Sequence, residues 1–231
     1  MLGTRKLLYL LLPEMEKHNI KMDRDLLNDL LRFNGLLIRR RRTKIAETTD
    51  SHHWLRKYPN LTKHLLLTSP EQLLVSDITY IRTLDGFSYL SLITDAYSRK
   101  IVGYALHPSL EAVGCILALE MAVASRKRVT AHNLVYHSDR EIQYCSQNYT
   151  AILNGDRIAI SMTQSGSRYE NALAERVNGI VKNEFFPKRT YKNYKEAKKC
   201  ISAIIDSYNQ KRPHAILDYL TLIRHTKKRE S

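Results

Sequence analysis

Apolar positions follow two different rhythms along this chain. Near the N-terminus they recur at helical spacing; from residue 73 onward they form short runs and alternations. Residues 4–19 predict a helix, with Pro13 a point where it can either kink or restart, since proline suits a first helical turn. Asp23 is placed to cap a second helix over Arg24–Phe33, with Leu26, Leu27, Leu30 and Leu31 on one face and Asn34-Gly35 as its stop. Two short helices joined by a tight turn read either as a helix-turn-helix-like module, with Arg24, Asn28 and Arg32 outward, or as a plain helical hairpin.

The second rhythm predicts strands at Leu73–Ile81, Phe87–Thr94 and Lys100–Leu106, separated by the turn signal Leu84-Asp-Gly86 and by Asp95–Arg99. A helix over Leu110–Ser125 follows, then a strand over Asn133–His137 and a short helix over 146–154. After these come a strand over Arg157–Ile160, a long helix over 170–185 and another over 193–210. Three strands with tight links followed by alternating elements give an α/β fold: a mixed five-stranded sheet flanked by helices. The expected divisions are a helical module (1–38), a basic linker (39–72), the α/β core (73–190), and a basic C-terminal helix and tail (191–231).

Charge sharpens that division. The chain carries 37 Lys/Arg against 23 Asp/Glu, a formal +14. Residues 1–72 are net +6, residues 73–181 are neutral, and residues 182–231 are net +8. A neutral core between basic flanks points to a polyanionic partner, most simply nucleic acid. Arg39, Arg40, Arg41, Arg42 and Lys44 are too dense to pack in a core and suit phosphates, with salt-sensitive, sequence-blind binding. His52 and His53 lack neighbouring ligands at metal-binding spacing. Three scattered cysteines suggest neither a disulfide framework nor a CxxC site, as expected of a reducing cytosol. The apolar run Leu7–Leu12 stops at Pro13-Glu14, too short for a membrane span and without an export-type cleavage site.

Candidate chemistry lies in three acids. Asp77 stands within the first predicted strand, Asp139 follows the fourth, and Glu175 sits on the long helix with 35 residues separating it from Asp139. On that helix Leu173, Val177, Ile180 and Val181 make an apolar face. Asn171, Glu175, Asn178 and Lys182 make a polar stripe expected on the opposite side, toward a groove. Converging carboxylates stay ionised together only beside cations, and oxygen ligands select Mg²⁺ or Mn²⁺. Two such ions can activate a water or a 3′-hydroxyl and stabilise the leaving oxygen of a phosphodiester. Lys182 and the two asparagines are candidate DNA contacts. Glu170 and Glu184 are rivals for the third acid.

Three blocks carry a resemblance: Val75-Ser-Asp77-Ile-Thr-Tyr-Ile, His137-Ser-Asp139-Arg and Tyr169-Glu-Asn-Ala-Leu-Ala-Glu175. Together with Tyr208-Asn-Gln-Lys-Arg-Pro-His214 they resemble bacterial insertion-sequence transposases of the integrase-like D,D-35-E group, near the insertion sequence three family. The resemblance implies a ribonuclease-H-like fold and two Mg²⁺ ions on Asp77, Asp139 and Glu175. It also implies oligomeric assembly on the element's inverted repeats, and DNA strand cleavage and transfer at the bacterial nucleoid in the cytoplasm. The chain departs from the family at Glu141, where glycine is usual, and at Leu74, Arg168 and the residue after Thr221. Those departures keep a second reading open, an inactive DNA-binding remnant. A ribonuclease-H-type nuclease is a third.

Overall fold

The computed structural model describes residues 3–37, 53–126, 134–164, 170–186, 190–214, 219 and 221–222. The cluster Arg39–Arg42 with Lys44 lies outside the described residues, as do His52, Arg168 and Tyr169.

The chain opens with α1 (Thr4–Lys17) and α2 (Arg24–Phe33). α1 continues through Pro13 and does not restart there. Asp23 caps α2, accepting the Leu26 amide at 2.8 Å, and Gly35 takes the positive φ (65°) that stops it. Only part of the expected apolar face is used. Leu27 is buried, but Leu26 and Leu30 remain 51% and 41% exposed. Asn28 turns toward α1 and accepts the Thr4 hydroxyl at 3.2 Å, whereas Arg24 and Arg32 point out and pair with Asp25 and Asp29.

The sheet is built from β1 (Leu73–Thr83), β2 (Gly86–Asp95), β3 (Ile101–His107), β4 (Val135–Ser138), β5 (Ala159–Met162) and β6 (Thr190–Tyr191). Its order is β3-β2-β1-β4-β5; β1–β2–β3 are antiparallel, and β4 and β5 run parallel to β1. The expected five strands are therefore six. β6 pairs in parallel with the far end of β1 through Arg82↔Thr190 and Thr83↔Tyr191. Two residues are too few to show a period of two, which is why pattern alone does not reveal it. β1 thus pairs with β4 over Leu73–Val75 and with β6 over Arg82–Thr83.

Helices cover both faces. On one side α3 (Ala112–Ala124), the short α4 (Ile142–Cys145) and α5 (Gln147–Gly155) bury Cys115, Leu119, Tyr144, Tyr149 and Leu153 against Leu74, Ile93, Tyr136 and Ile160. α3 lies unusually close to β3. A Cβ added at Gly103 would meet the Ala118 carbonyl oxygen at 2.1 Å, so only glycine admits this contact. On the other side α6 (Ala172–Ile180) and α7 (Tyr194–Lys211) bury Val177, Ile201, Ile204, Ile205 and Tyr208 against Ile81, Leu90, Leu92 and Ile101. Neighbouring β2 residues serve opposite faces, Leu92 one and Ile93 the other, as period two requires. The predicted long helix over 170–185 is α6 continued by one π-helical turn, Val181–Phe185.

Candidate active site

Parallel register brings the first two acids together. The last β1–β4 pair is Val75↔His137. Two residues further on stand Asp77, within β1, and Asp139, just past the end of β4. Beyond Val75 β4 leaves the edge of β1, and α6 takes its place. Asn171 donates its amide to the Ser76 carbonyl at 2.9 Å, and Asn178 donates to the Asp77 carboxylate at 2.7 Å. Glu175, between them on the helix, sits in the first turn of α6 with its side chain exposed. The Asp77 carboxylate also accepts the Ile78 amide at 2.9 Å, and Asp139 accepts the Glu141 amide at 3.1 Å.

The stripe Asn171–Glu175–Asn178–Lys182 is real, but it does not all face outward as expected. Asn171 and Asn178 are buried, 6% and 4% exposed, with their amides committed to β1. A polar stripe over a strand that carries its own polar group can bury itself, a pairing that helical periodicity alone does not reveal. Lys182, one helical repeat beyond Asn178, is exposed and feels the Asp77 charge, which works against the lowering of its pKa by desolvation.

The electrostatics are those of acids crowded together. Asp77 is pushed up to about 7 by burial and by the Asp139 and Glu175 charges, against the pull of Asn178 and Ile78. Burial likewise raises Asp139, with Glu175 adding to it. Glu141, noted in the sequence only as a departure, is raised by burial and by Asp139 and Asp77, and its Oε2 is buried without a hydrogen-bond partner. Its backbone is ordinary extended chain (φ −63°, ψ 146°), so a glutamate here, where the sequence resemblance led to the expectation of glycine, carries no conformational cost. This all-oxygen set suits a hard divalent cation, and the orphaned Glu141 oxygen faces the same need. As placed, no three His, Cys, Asp or Glu among the described residues stand close enough to hold one ion.

The rivals to Glu175 have other work. Glu184 accepts Lys6 at 2.8 Å and Arg212 at 2.7 and 3.0 Å; burial would raise its pKa, but these cations hold it below its usual value. The Glu170 carboxylate takes the Gln164 amide, and its carbonyl accepts from His137 Nε2 at 3.0 Å. His137 Nδ1 is then the acceptor for the Ser161 hydroxyl at 2.8 Å, so the buried ring is neutral and ties the start of α6 to β4 and β5. The Tyr208–His214 block is a brace. Tyr208 donates to the Arg99 carbonyl at 3.1 Å, Asn209 makes two bonds with the Ile101 backbone, and Arg212 grips Glu184.

Comparison with known proteins bears on the family and the fold. One integrase core domain model matches residues 68–168 and a second matches residues 156–221. The chain is 35% identical over 217 residues to an uncharacterized 31 kDa protein of insertion element IS600 from Shigella sonnei, covering 93% of this chain and 77% of that one. It is 32% identical over 171 residues to the transposase for insertion sequence element IS629 from Shigella sonnei, covering 74% and 57%. It is 36% identical over 146 residues to transposase InsF for insertion sequence IS3A from Escherichia coli K12, covering 63% and 50%. This chain therefore spans between half and about three quarters of these relatives. The HTLV-2 integrase catalytic core domain superposes with a TM-score of 0.51 at 17% identity, covering 67% of this chain and 95% of that one; it shows the fold alone, which is ribonuclease-H-like. The chain belongs to the bacterial insertion-sequence transposases with an integrase core. Among the described residues no helix is long and apolar enough to cross a membrane.

Proposed function

We propose that this chain cleaves DNA at the ends of its insertion sequence and transfers the strands to target DNA, with Asp77, Asp139 and Glu175 holding two divalent cations, Mg²⁺ or Mn²⁺. The observation that carries this reading is the β1–β4 register, which sets Asp77 beside Asp139 under the first turn of α6. When bound, the cations supply an activated water or 3′-hydroxyl and stabilise the leaving oxygen. The protein's own part is positioning. Asn178 and the Ile78 amide fix the Asp77 carboxylate, the Glu141 amide fixes that of Asp139, and Asn171 anchors α6 to β1. Glu175 is free to turn toward the two aspartates. Lys182 takes a phosphate of the bound strand, and Arg39, Arg40, Arg41, Arg42 and Lys44 take others. Asn171 and Asn178 serve the DNA by holding β1.

In this reading the helical module (1–38), the linker (39–72) and the C-terminal helix (191–231) frame the 73–190 core. Several copies assemble on the inverted repeats, at the nucleoid. The strain-free backbone at Glu141 supports a working copy over an inactive remnant. The test is nicking of supercoiled plasmid in Mn²⁺ by this chain and by Glu175→Gln. Nicking by the parent and none by the variant is the expected result. Equal nicking by both, or DNA binding without nicking by the parent, would overturn the reading.

A further inference from the structure

Residues 53–67 contain no helix or strand, yet they are fastened to the core along their length. His53 Nε2 donates to the Arg140 carbonyl at 2.8 Å. Leu55 and Tyr58 pack against the cluster under α3 and α5, and the Met162 amide donates to the Pro59 carbonyl at 3.3 Å. The Leu61 amide donates to the Ser161 hydroxyl at 2.9 Å, and Lys63 donates to Gln164 at 3.2 Å. Leu65 and Leu67 pack beside Leu73 and Val135. Between the two fixed residues His53 and Leu55, Trp54 stands 91% exposed. With both neighbours held, this exposure is a feature of a fastened strap. A large aromatic ring left in water forgoes the packing that usually recruits it.

The surroundings say what would cover it. Arg56 and Lys57 are exposed beside it, with the Arg56 guanidinium 5.0 Å from the Tyr58 ring. Arg140, whose carbonyl anchors His53, directly follows Asp139, and its Nε is buried without a hydrogen-bond partner. His53, next to Trp54, is bonded to the residue that follows Asp139, so the exposed indole, Arg56, Lys57 and Arg140 all lie on segments adjoining the acid cluster.

We infer that Trp54 is a stacking platform for an unpaired base of the DNA strand lying at the acid cluster, with Arg56, Lys57 and Arg140 on the adjoining phosphates. Every base offers a π-face, so stacking there is sequence-tolerant, but the base must be free of its own duplex stack. Basic neighbours add the salt-dependent part of the affinity. The inference rests on the DNA-cleaving reading above.

Trp54 is the sole tryptophan of the chain, so its emission reports on the site directly. The experiment titrates the full chain, without divalent metal, with a short duplex bearing an unpaired 3′ overhang and with its blunt counterpart. Tryptophan emission is followed with unlabelled DNA and binding by anisotropy of labelled DNA. The expected result is quenching by the overhang duplex well beyond that by the blunt one. Trp54→Ala should weaken overhang binding roughly tenfold, and Trp54→Phe should retain most of it. Anisotropy showing tight overhang binding with unchanged emission, and Trp54→Ala binding equally well, would overturn the inference while leaving the cleavage reading intact. Equal quenching by the blunt duplex would overturn it too. An absence of binding to either DNA would overturn both.

Discussion

Glu184 and Glu141 are both glutamates largely withdrawn from water, and although burial pushes both carboxyls up, their neighbours leave them displaced in opposite directions. Glu184 meets Lys6 and Arg212 and is held below its usual pKa. Glu141 meets Asp139 and Asp77 and is pushed above it, with one oxygen left unpartnered. The first cluster contains its own counter-charges and is complete as a structural joint. The second is an acid cluster in which like charges raise one another, and in the proposed function a divalent cation supplies the counter-charge. The difference separates a carboxylate paired within the fold from carboxylates crowded by like charge, and burial alone does not distinguish them.

The largest way to break the comparison is to exchange the consequences. Asp139→Asn should lower plasmid nicking by on the order of 10³-fold or more while leaving the thermal midpoint unchanged or raised, because it removes a repelled charge. Arg212→Ala should do the reverse in kind. It removes the bidentate guanidinium from the half-buried Glu184 carboxylate and should cost about 3–5 kcal/mol in a denaturant melt. A loss of stability in the first variant, or none in the second, would erase the distinction.

A pH series sharpens it. In the metal-free protein Asp77 titrates near 7, and Asp139 and Glu141 are also raised. The folded chain therefore holds protons that the unfolded chain has released. Stability from these groups is fully present below about pH 4 and falls as pH rises through their folded values. Mg²⁺ should offset that loss. The rise in thermal midpoint on adding Mg²⁺ should be larger at pH 8 than at pH 5. An equal rise at both would show that the acids do not receive the ion. The smallest effect is expected from Glu141→Gln, which should flatten the metal-free pH profile and lift the midpoint at pH 8 by about 2–4 °C for each kcal/mol of repulsion removed.

Much of this was readable from pattern. The meander, the βαβ arrangement after it and the three acids all announce themselves in runs, alternation and spacing, and Asp23 and Gly35 fall where helix-capping chemistry puts them. What escaped has a common cause. β6 is two residues long, and its partner is an edge made available only by the departure of β4. Asn171 and Asn178 look like surface residues because their partners, a carbonyl and a carboxylate on β1, are distant in sequence. Helical azimuth already sets Glu184 apart from Glu175, but nothing in the pattern reveals that Lys6, 178 residues away, holds it. Periodicity reports which face a residue occupies, and it says little about which polar groups from elsewhere meet that face.

The joint at Glu184 has a consequence for how the molecule is made. It draws on α1, on the π-turn after α6 and on Arg212 just past α7. A ribosome delivers these in that order, so all three acids leave the exit tunnel before the residue that clamps the helix carrying Glu175. A chain cut short before residue 212 would display the complete acid signature on a helix whose far end is unclamped. Vectorial synthesis therefore defers the finished site until Arg212 has emerged.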